Sequence, residues 1–151
     1  MIYLVRHAQA ATRAAWPGSD GARPLSPQGC RQAAGLVTLL GSRPITRILS
    51  SPRERCLATV APLAEARRLQ VELEPRLDEA APPGEADLFL EAPVEGTVLC
   101  THRPVIAALL GSLAASGLAL PGASEVAPGS VWELTIADGR LVSGRYLPPA
   151  G

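Results

Sequence analysis

Short apolar runs of strand length alternate along the chain with longer stretches whose apolar positions recur at helical spacing. Residues 2–5 form a continuous apolar run, the pattern of a strand buried on both faces of a parallel sheet. A polar, glycine-containing loop over residues 10–24 follows. Ser26-Pro27 then reads as a helix start, with serine at the N-cap and proline in the first turn. Ala33, Leu36, Val37 and Leu40 mark one face of that helix, and Gly41 ends it.

The plan then repeats. Arg47–Ser50 predicts a second strand, and Ser51-Pro52 offers another N-cap and first-turn proline, for a helix running through Leu57, Val60, Ala61 and Ala64. Val71–Leu73 predicts a third strand. Residues 74–95 are acidic and proline-containing and predict a loop over the sheet edge, with a short helix around residues 85–91. Thr97–Thr101 predicts a fourth strand, followed by a crossover helix after His102. The apolar stretch over residues 105–120 falls short of the ~20 residues of a membrane span. Gly111, Ser112, Ser116 and Gly117 interrupt it, so it reads as a buried helix. Val131–Ala137 and residues 141–146 flank Asp138-Gly139, a hairpin signal. The sum is an α/β fold of three layers, α/β/α, around a mostly parallel mixed sheet.

With 151 residues, 47% of them hydrophobic, the chain reads as one domain over residues 1–151 with a sizeable core. Fourteen basic residues balance fourteen acidic ones, so charge argues against a nucleic-acid polymer or a membrane surface as partner, and positive potential must be local. An aromatic fraction of 3% argues likewise against a base-stacking platform. All the basic residues are arginine. Without lysine there is no Walker lysine, no Schiff-base lysine and no Ser-x-x-Lys pair. Cys30, Cys56 and Cys100 form no Cys-x-x-Cys pair, and none has an arginine six residues downstream. They read as partly buried core thiols in a reducing compartment. No basic stretch precedes a long apolar segment, and the expectation is a cytoplasmic protein. No His/Asp/Glu cluster of ligand spacing appears, so neither a metal nor another cofactor is expected.

The chain has only two histidines, and each follows an apolar run beside an arginine: Ile2-Tyr3-Leu4-Val5-Arg6-His7 and Val98-Leu99-Cys100-Thr101-His102-Arg103. If both runs are strands of one parallel sheet, their carboxyl ends share the edge where open α/β sheets bind ligands. Two imidazoles and several guanidinium groups would then face one another, an arrangement suited to an oxyanion such as phosphate.

Four segments in order resemble motifs of the histidine phosphatase superfamily, also called phosphoglycerate mutase-like. Leu4-Val5-Arg6-His7-Ala8 resembles its Arg-His-Gly signature, and the segment from Arg23 to Gly29 its "RPLTxxG" stretch. The segment from Ser50 to Thr59 is similar to "SSPxxRAxxT", and that from Thr101 to Ile106 to "THGGVI". The strongest likeness is to short members: bacterial phosphohistidine phosphatases of the SixA type and phosphatase domains attached to some Nudix hydrolases. The resemblance implies a phosphoglycerate mutase-like fold and makes His7 the nucleophile that accepts the phosphoryl group. It implies that Arg6 and Arg55 hold phosphate oxygens, that His102 adds a donor, and that Glu79 is the general acid, with Asp78 as fallback.

Phosphoryl transfer asks mainly for in-line positioning and charge stabilisation, which guanidinium forks supply, and a neutral imidazole at His7 can attack near neutrality. Arg23 either reaches the site from its loop or pairs with Asp20. Gln9 and Arg13 are further candidates from the first loop, whereas Arg53 reads as a solvent-facing or capping residue. Ala8 stands where the family usually has glycine, and Ala10 where mutase-like members often carry a polar side chain. Arg103-Pro104 replaces two glycines: the Arg103 amide can still donate, Pro104 has none, and the added charge of Arg103 suits a more highly charged substrate. A mutase is disfavoured, since only residues 74–95 could cover the site. The expected activity is hydrolysis of a phosphomonoester or phosphoramidate. The partner is a small phosphorylated substrate or a phosphohistidine protein in signalling, and the alternative is a non-catalytic phospho-ligand module. No surface pattern specifies an oligomeric state.

Overall fold

The computed structural model describes residues 1–151. Six strands, β1 (Ile2–Arg6), β2 (Arg47–Ser50), β3 (Val71–Leu73), β4 (Thr97–Thr101), β5 (Val131–Ala137) and β6 (Arg140–Leu147), form one sheet in the order β3-β2-β4-β1-β5-β6. The first four run parallel, and β5 and β6 add an antiparallel hairpin beside β1. Four helices accompany them: α1 (Pro27–Leu40), α2 (Glu54–Arg67), the one-turn α3 (Leu88–Glu91) and α4 (Arg103–Ala115).

Strand periodicity divides the core in two. On β1, Tyr3 and Val5 pack with Leu36 and Leu40 of α1 and Val60 and Leu63 of α2, while Ile2 and Leu4 pack with Ile106, Leu109 and Leu110 of α4. β2 and β4 split the same way, Ile48, Val98 and Cys100 to the first face, Leu49 and Leu99 to the second. Burial on both faces explains why these strands read as unbroken apolar runs, and the three expected layers are present.

Local chemistry sets the helix ends. Ser26 Oγ accepts the Gly29 N–H at 3.0 Å, Pro27 opens α1, and Gly41, at φ 45°, closes it. The first turn of α1 lies directly on the backbone that follows β1. The Ser26 N–H donates to the Gln9 carbonyl at 2.9 Å, and a Cβ at Gly29 would stand 1.9 Å from that same oxygen. Asp138 and Gly139 both take positive φ, 51° and 74°, as a two-residue hairpin turn demands.

Three sequence expectations need correction. Ser51-Pro52 does not start α2: the helix begins at Glu54 with Arg53 at its N-cap, because Ser51 is buried and carries β2 onward into the site. α4 stops at Ala115 and buries only one face, through Ile106, Leu109, Leu110 and Leu113, with its alanines and Ser112 mostly facing water. Cys30 is exposed; only Cys56 and Cys100 are core thiols. Residues 74–95 do form the expected loop, organised by 3-10 turns at Pro75–Leu77 and Glu85–Asp87 and by α3, with Leu77 buried as its anchor. No helix is long and apolar enough to cross a membrane.

Candidate active site

β1 and β4 are parallel neighbours in a register that sets Arg6 opposite Thr101, so His7 and His102 leave the sheet side by side. Their rings stand edge to face, centroids 5.3 Å apart and planes at 65°. The His7 N–H donates to the Thr101 carbonyl at 3.0 Å, one more rung of the ladder beyond the strand. Nδ1–H of His7 donates to the Ala8 carbonyl at 2.8 Å. A carbonyl can only accept, so the proton belongs on Nδ1 and Nε2 carries the free lone pair. Burial lowers the His7 pKa from 6.5 to about 4. The Ala8 carbonyl opposes that shift, and the positive neighbours, among them Arg55 and Arg6, reinforce it. At neutral pH His7 is therefore an uncharged imidazole.

His102 is only 1% exposed. Its Nε2 meets the Ser51 hydroxyl at 2.9 Å and the Cys56 thiol at 3.6 Å, while Nδ1 has no hydrogen-bond partner and stands 3.9 Å from Glu79 Oε2. Arg55, the second residue of α2, is equally buried. Its Nη1 donates to the Asp20 carbonyl at 3.0 Å and its Nη2 to Glu79 Oε1 at 2.6 Å. Arg6 Nη1 donates to the Val126 carbonyl at 2.6 Å. Thr59 ties these parts together, since its hydroxyl donates to the Arg55 carbonyl and accepts the Ala8 N–H at 2.8 Å.

The groups surround a cavity of about 330 Å³ with one hydrophobic residue among the twelve that line it. Arg6, His7, Gln9, Arg55, Glu79 and His102 are all in its wall, and Arg23 and Arg103 join them near the mouth, with Arg13. Gln9 is held there by α1: its side-chain oxygen accepts the Ser26 hydroxyl at 2.7 Å. Arg103, the exposed first residue of α4, joins no ion pair, and its charge adds to burial in lowering the Arg6 pKa. Arg23 fills both roles considered for it, bonding Asp20 at 3.2 Å while lining the cavity.

One residue lies elsewhere than expected. Asp78 faces away from the cavity, its carboxylate accepting from Arg53 Nε at 2.9 Å and from the Ala80 N–H at 3.2 Å. Burial acts to raise its pKa, but those bonds and the Arg53 charge outweigh it and hold the carboxyl below the usual range. Arg53 takes the capping place read for it, as the N-cap residue of α2, and its side chain clamps the segment after β3 to Asp20 and to the start of α2. Sequence reasoning named Asp20 only as a possible partner of Arg23. It meets Arg23, Arg55, Arg53 and Arg13 within 3.5 Å, and their charge overrides burial to keep it ionised. Ser51 and Thr59 sat inside recognised motifs, but nothing in their spacing announced their hydrogen bonds.

Four buried side-chain polar atoms have no hydrogen-bond partner: Arg6 Nε, Arg55 Nε, His102 Nδ1 and Ser130 Oγ. Three of these four belong to residues lining this one cavity. Unpaired buried polar atoms are costly and rare, so their convergence here marks a place built for an acceptor from outside the chain. An uncharged imidazole with a free Nε2 lone pair, beside guanidinium groups at the carboxyl edge of a parallel sheet, is chemically able to hold an oxyanion next to a nucleophilic nitrogen.

The family model of the histidine phosphatase superfamily (branch 1) matches residues 2–83, and the chain belongs to that family. An 8-oxo-(d)GTP phosphatase of Mycolicibacterium smegmatis is 31% identical over 154 residues, an alignment covering 98% of this chain and 48% of that protein. The chain spans about half the length, or less, of the curated relatives it matches. Among solved structures, the protein histidine phosphatase SixA complexed with tungstate superposes with a TM-score of 0.74 at 22% identity, covering 99% of this chain and 95% of that one. A mycobacterial glucosyl-3-phosphoglycerate phosphatase complexed with VO3 gives 0.67 at 20% identity, with 99% of both chains covered. These two likenesses show the phosphoglycerate mutase-like fold.

Proposed function

We propose that the protein is a phosphatase that hydrolyses phosphomonoesters or phosphoramidates through a phosphohistidine formed on His7. The observation that carries this reading is the state of His7: Nδ1–H is committed to the Ala8 carbonyl, the ring is uncharged at pH 7, and His7 lines one cavity with Arg6, Arg55 and His102. In the first step the Nε2 lone pair attacks phosphorus and the bond from phosphorus to the leaving oxygen or nitrogen breaks. Glu79 supplies the proton that the departing atom needs; Asp78 is bound to Arg53 outside the cavity and is a poor alternative. In the second step water attacks the phosphohistidine, its proton passes to the Glu79 carboxylate, and the P–N bond returns its electrons to Nε2. Arg6, Arg55 and His102 hold the phosphoryl oxygens throughout, where a fixed set of donors stabilises charge better than water does.

The substrate is a small phosphorylated molecule or a phosphohistidine protein. The 8-oxo-(d)GTP phosphatase relative favours the former, with nucleotides as the first class to assay. Three free thiols accord with a cytoplasmic setting. The deciding experiment is incubation with para-nitrophenyl phosphate, then a rapid quench with labelled substrate. Phosphate release, and a protein-bound label that is acid-labile and alkali-stable, are expected from the native chain and from neither in His7→Ala. Tight phosphate binding without turnover by the native chain would instead make it a phospho-ligand module.

A further inference from the structure

The loop between β1 and α1 builds a second cavity of about 380 Å³, lined by Arg13, Trp16, Gly18, Asp20 and Arg23. Arg13 and Arg23 also line the His7 cavity, so the two spaces share a wall of guanidinium groups. Trp16 is one of only two tryptophans, and the other, Trp132, is buried in the core. The fold leaves Trp16 partly exposed yet holds it still. Its Nε1–H donates to the Ser19 carbonyl at 2.8 Å, and its ring lies on Gly18, where a Cβ would come within 2.9 Å of the indole.

An indole left in contact with water forgoes burial that would stabilise the fold, and pinning it removes the freedom that exposure normally retains. Both features suit a stacking surface. A planar ring stacks on such an indole whatever its hydrogen-bonding pattern, and the neighbouring Arg13 and Arg23, whose two charges exceed the one on Asp20 between them, favour a ligand that carries negative charge. The low aromatic content argues against tracking a polymer, which needs several platforms; one rigid indole beside one phosphate site is matched to a single nucleotide.

We infer that Trp16 stacks the base of a nucleoside phosphate whose phosphoryl group lies at His7, with Arg13 and Arg23 flanking the span between them. The inference rests on the phosphatase reading and names the substrate class of that site. A competing place for the base is the groove of about 210 Å³ between residues 82–84 and α4, which borders Glu79.

Guanosine 5′-monophosphate and ribose 5-phosphate separate these possibilities, because they share a phosphomonoester and differ in the base. Binding is measured by calorimetry on His7→Ala protein, which removes turnover from the measurement. GMP is expected to bind more tightly than ribose 5-phosphate and to quench tryptophan emission; adding Trp16→Ala should cut that preference about tenfold and abolish the quenching. Gly18→Val, which displaces the indole without removing it, should lower the preference in the same direction. Equal affinity for the two ligands, or a GMP preference that survives Trp16→Ala, overturns the inference, and the second result moves the base to the groove beside α4. Failure of the phosphatase reading shows separately, as absence of para-nitrophenyl phosphate turnover by the native chain.

Discussion

Arg55 and Glu79 form a 2.6 Å ion pair in the wall of the His7 cavity, with the guanidinium side chain 1% exposed and the carboxylate 29%. The same carboxylate turns its other oxygen toward His102, so it can both steady Arg55 and exchange a proton with a leaving group. Glu79→Gln separates these duties, since an amide oxygen still accepts from Arg55 but delivers no proton. The kcat/KM of an alkyl phosphate should fall about a hundredfold, while that of 2,4-dinitrophenyl phosphate, which reports only the first step and whose leaving group needs no proton, should change by less than about threefold. Equal losses on both substrates would leave Glu79 as a positioning residue for Arg55 alone.

The depressed pKa of His7 makes a pH prediction of definite sign. Its folded value of about 4 lies below the ordinary 6.5, so between those values the unfolded chain binds the proton that the folded chain refuses. The stability contributed by a neutral His7 is complete above about pH 6.5 and is lost as pH falls toward 4. The kcat/KM profile should accordingly stay level through pH 6.5 and bend down near 4, and nitrogen NMR of the imidazoles should show His7 protonated on Nδ1 alone at pH 7. An acid limb centred near 6.5 would mean that His7 is solvated and not the buried nucleophile described above.

How much of this was legible in the sequence varied with the kind of signal. Strands β1, β2 and β4 are buried on both faces, so their apolar runs were unambiguous, and the two histidines pointed to a shared carboxyl edge, while the pairing and register of β1 against β4 came only with the structure. Ser51-Pro52 misled because a Ser-Pro pair suits a helix start and a strand exit equally. What decides is the partner, His102, fifty-one residues away. α4 looked like a buried helix because alanine counts as apolar, yet alanine costs little at a surface and only its longer aliphatic residues reach the core. Of the contacts of Asp20 only that with Arg23, three residues on, was legible, since Arg53 and Arg55 reach it only once the first loop and α2 are assembled.

Ser51 offers a test of what holds His102 in place. Its hydroxyl is the nearest partner of a buried imidazole nitrogen, with the Cys56 thiol as the weaker neighbour. Ser51→Ala should cost about 1–3 kcal/mol of stability, as removal of one partner from a buried polar pair does. It should also lower kcat more than it raises KM, because His102 then loses its orientation toward the transferring phosphoryl group. Ser51→Thr retains the hydroxyl and should recover most of the loss. A stability change without any change in kcat would reduce Ser51 to a core residue.

Arg103 tests the charge preference of the mouth. It lines the cavity, pairs with no carboxylate and already disfavours the charge on Arg6. A second phosphate group is the natural relief for such crowding. Arg103→Ala should reduce the preference for a nucleoside diphosphate over the matching monophosphate about tenfold, the worth of one charge-assisted hydrogen bond. An unchanged preference would show that the side chain projects into solvent when substrate is bound.

Gly29 carries the most local prediction. Its missing side chain lets the first turn of α1 rest on the Gln9 carbonyl, where any Cβ would come within 1.9 Å of the oxygen and 2.9 Å of its carbon. Both are backbone atoms, so no rotamer change relieves the overlap; either α1 withdraws or the segment after His7 moves. The same segment is bonded to α1 through Ser26 and Gln32, the latter accepting the Gln9 N–H at 2.9 Å, which makes withdrawal of the helix expensive. In an ordinary mid-helix position Gly→Ala stabilises, by up to about 1 kcal/mol. Here Gly29→Ala should destabilise by at least about 2 kcal/mol, within the range for overpacking a close contact. It should also lower kcat/KM through misplacement of His7, read by denaturant melts and by para-nitrophenyl phosphate turnover on the folded fraction. A neutral or stabilising Gly29→Ala would mean that the loop behind His7 yields freely, and that α1 does not fix the nucleophile.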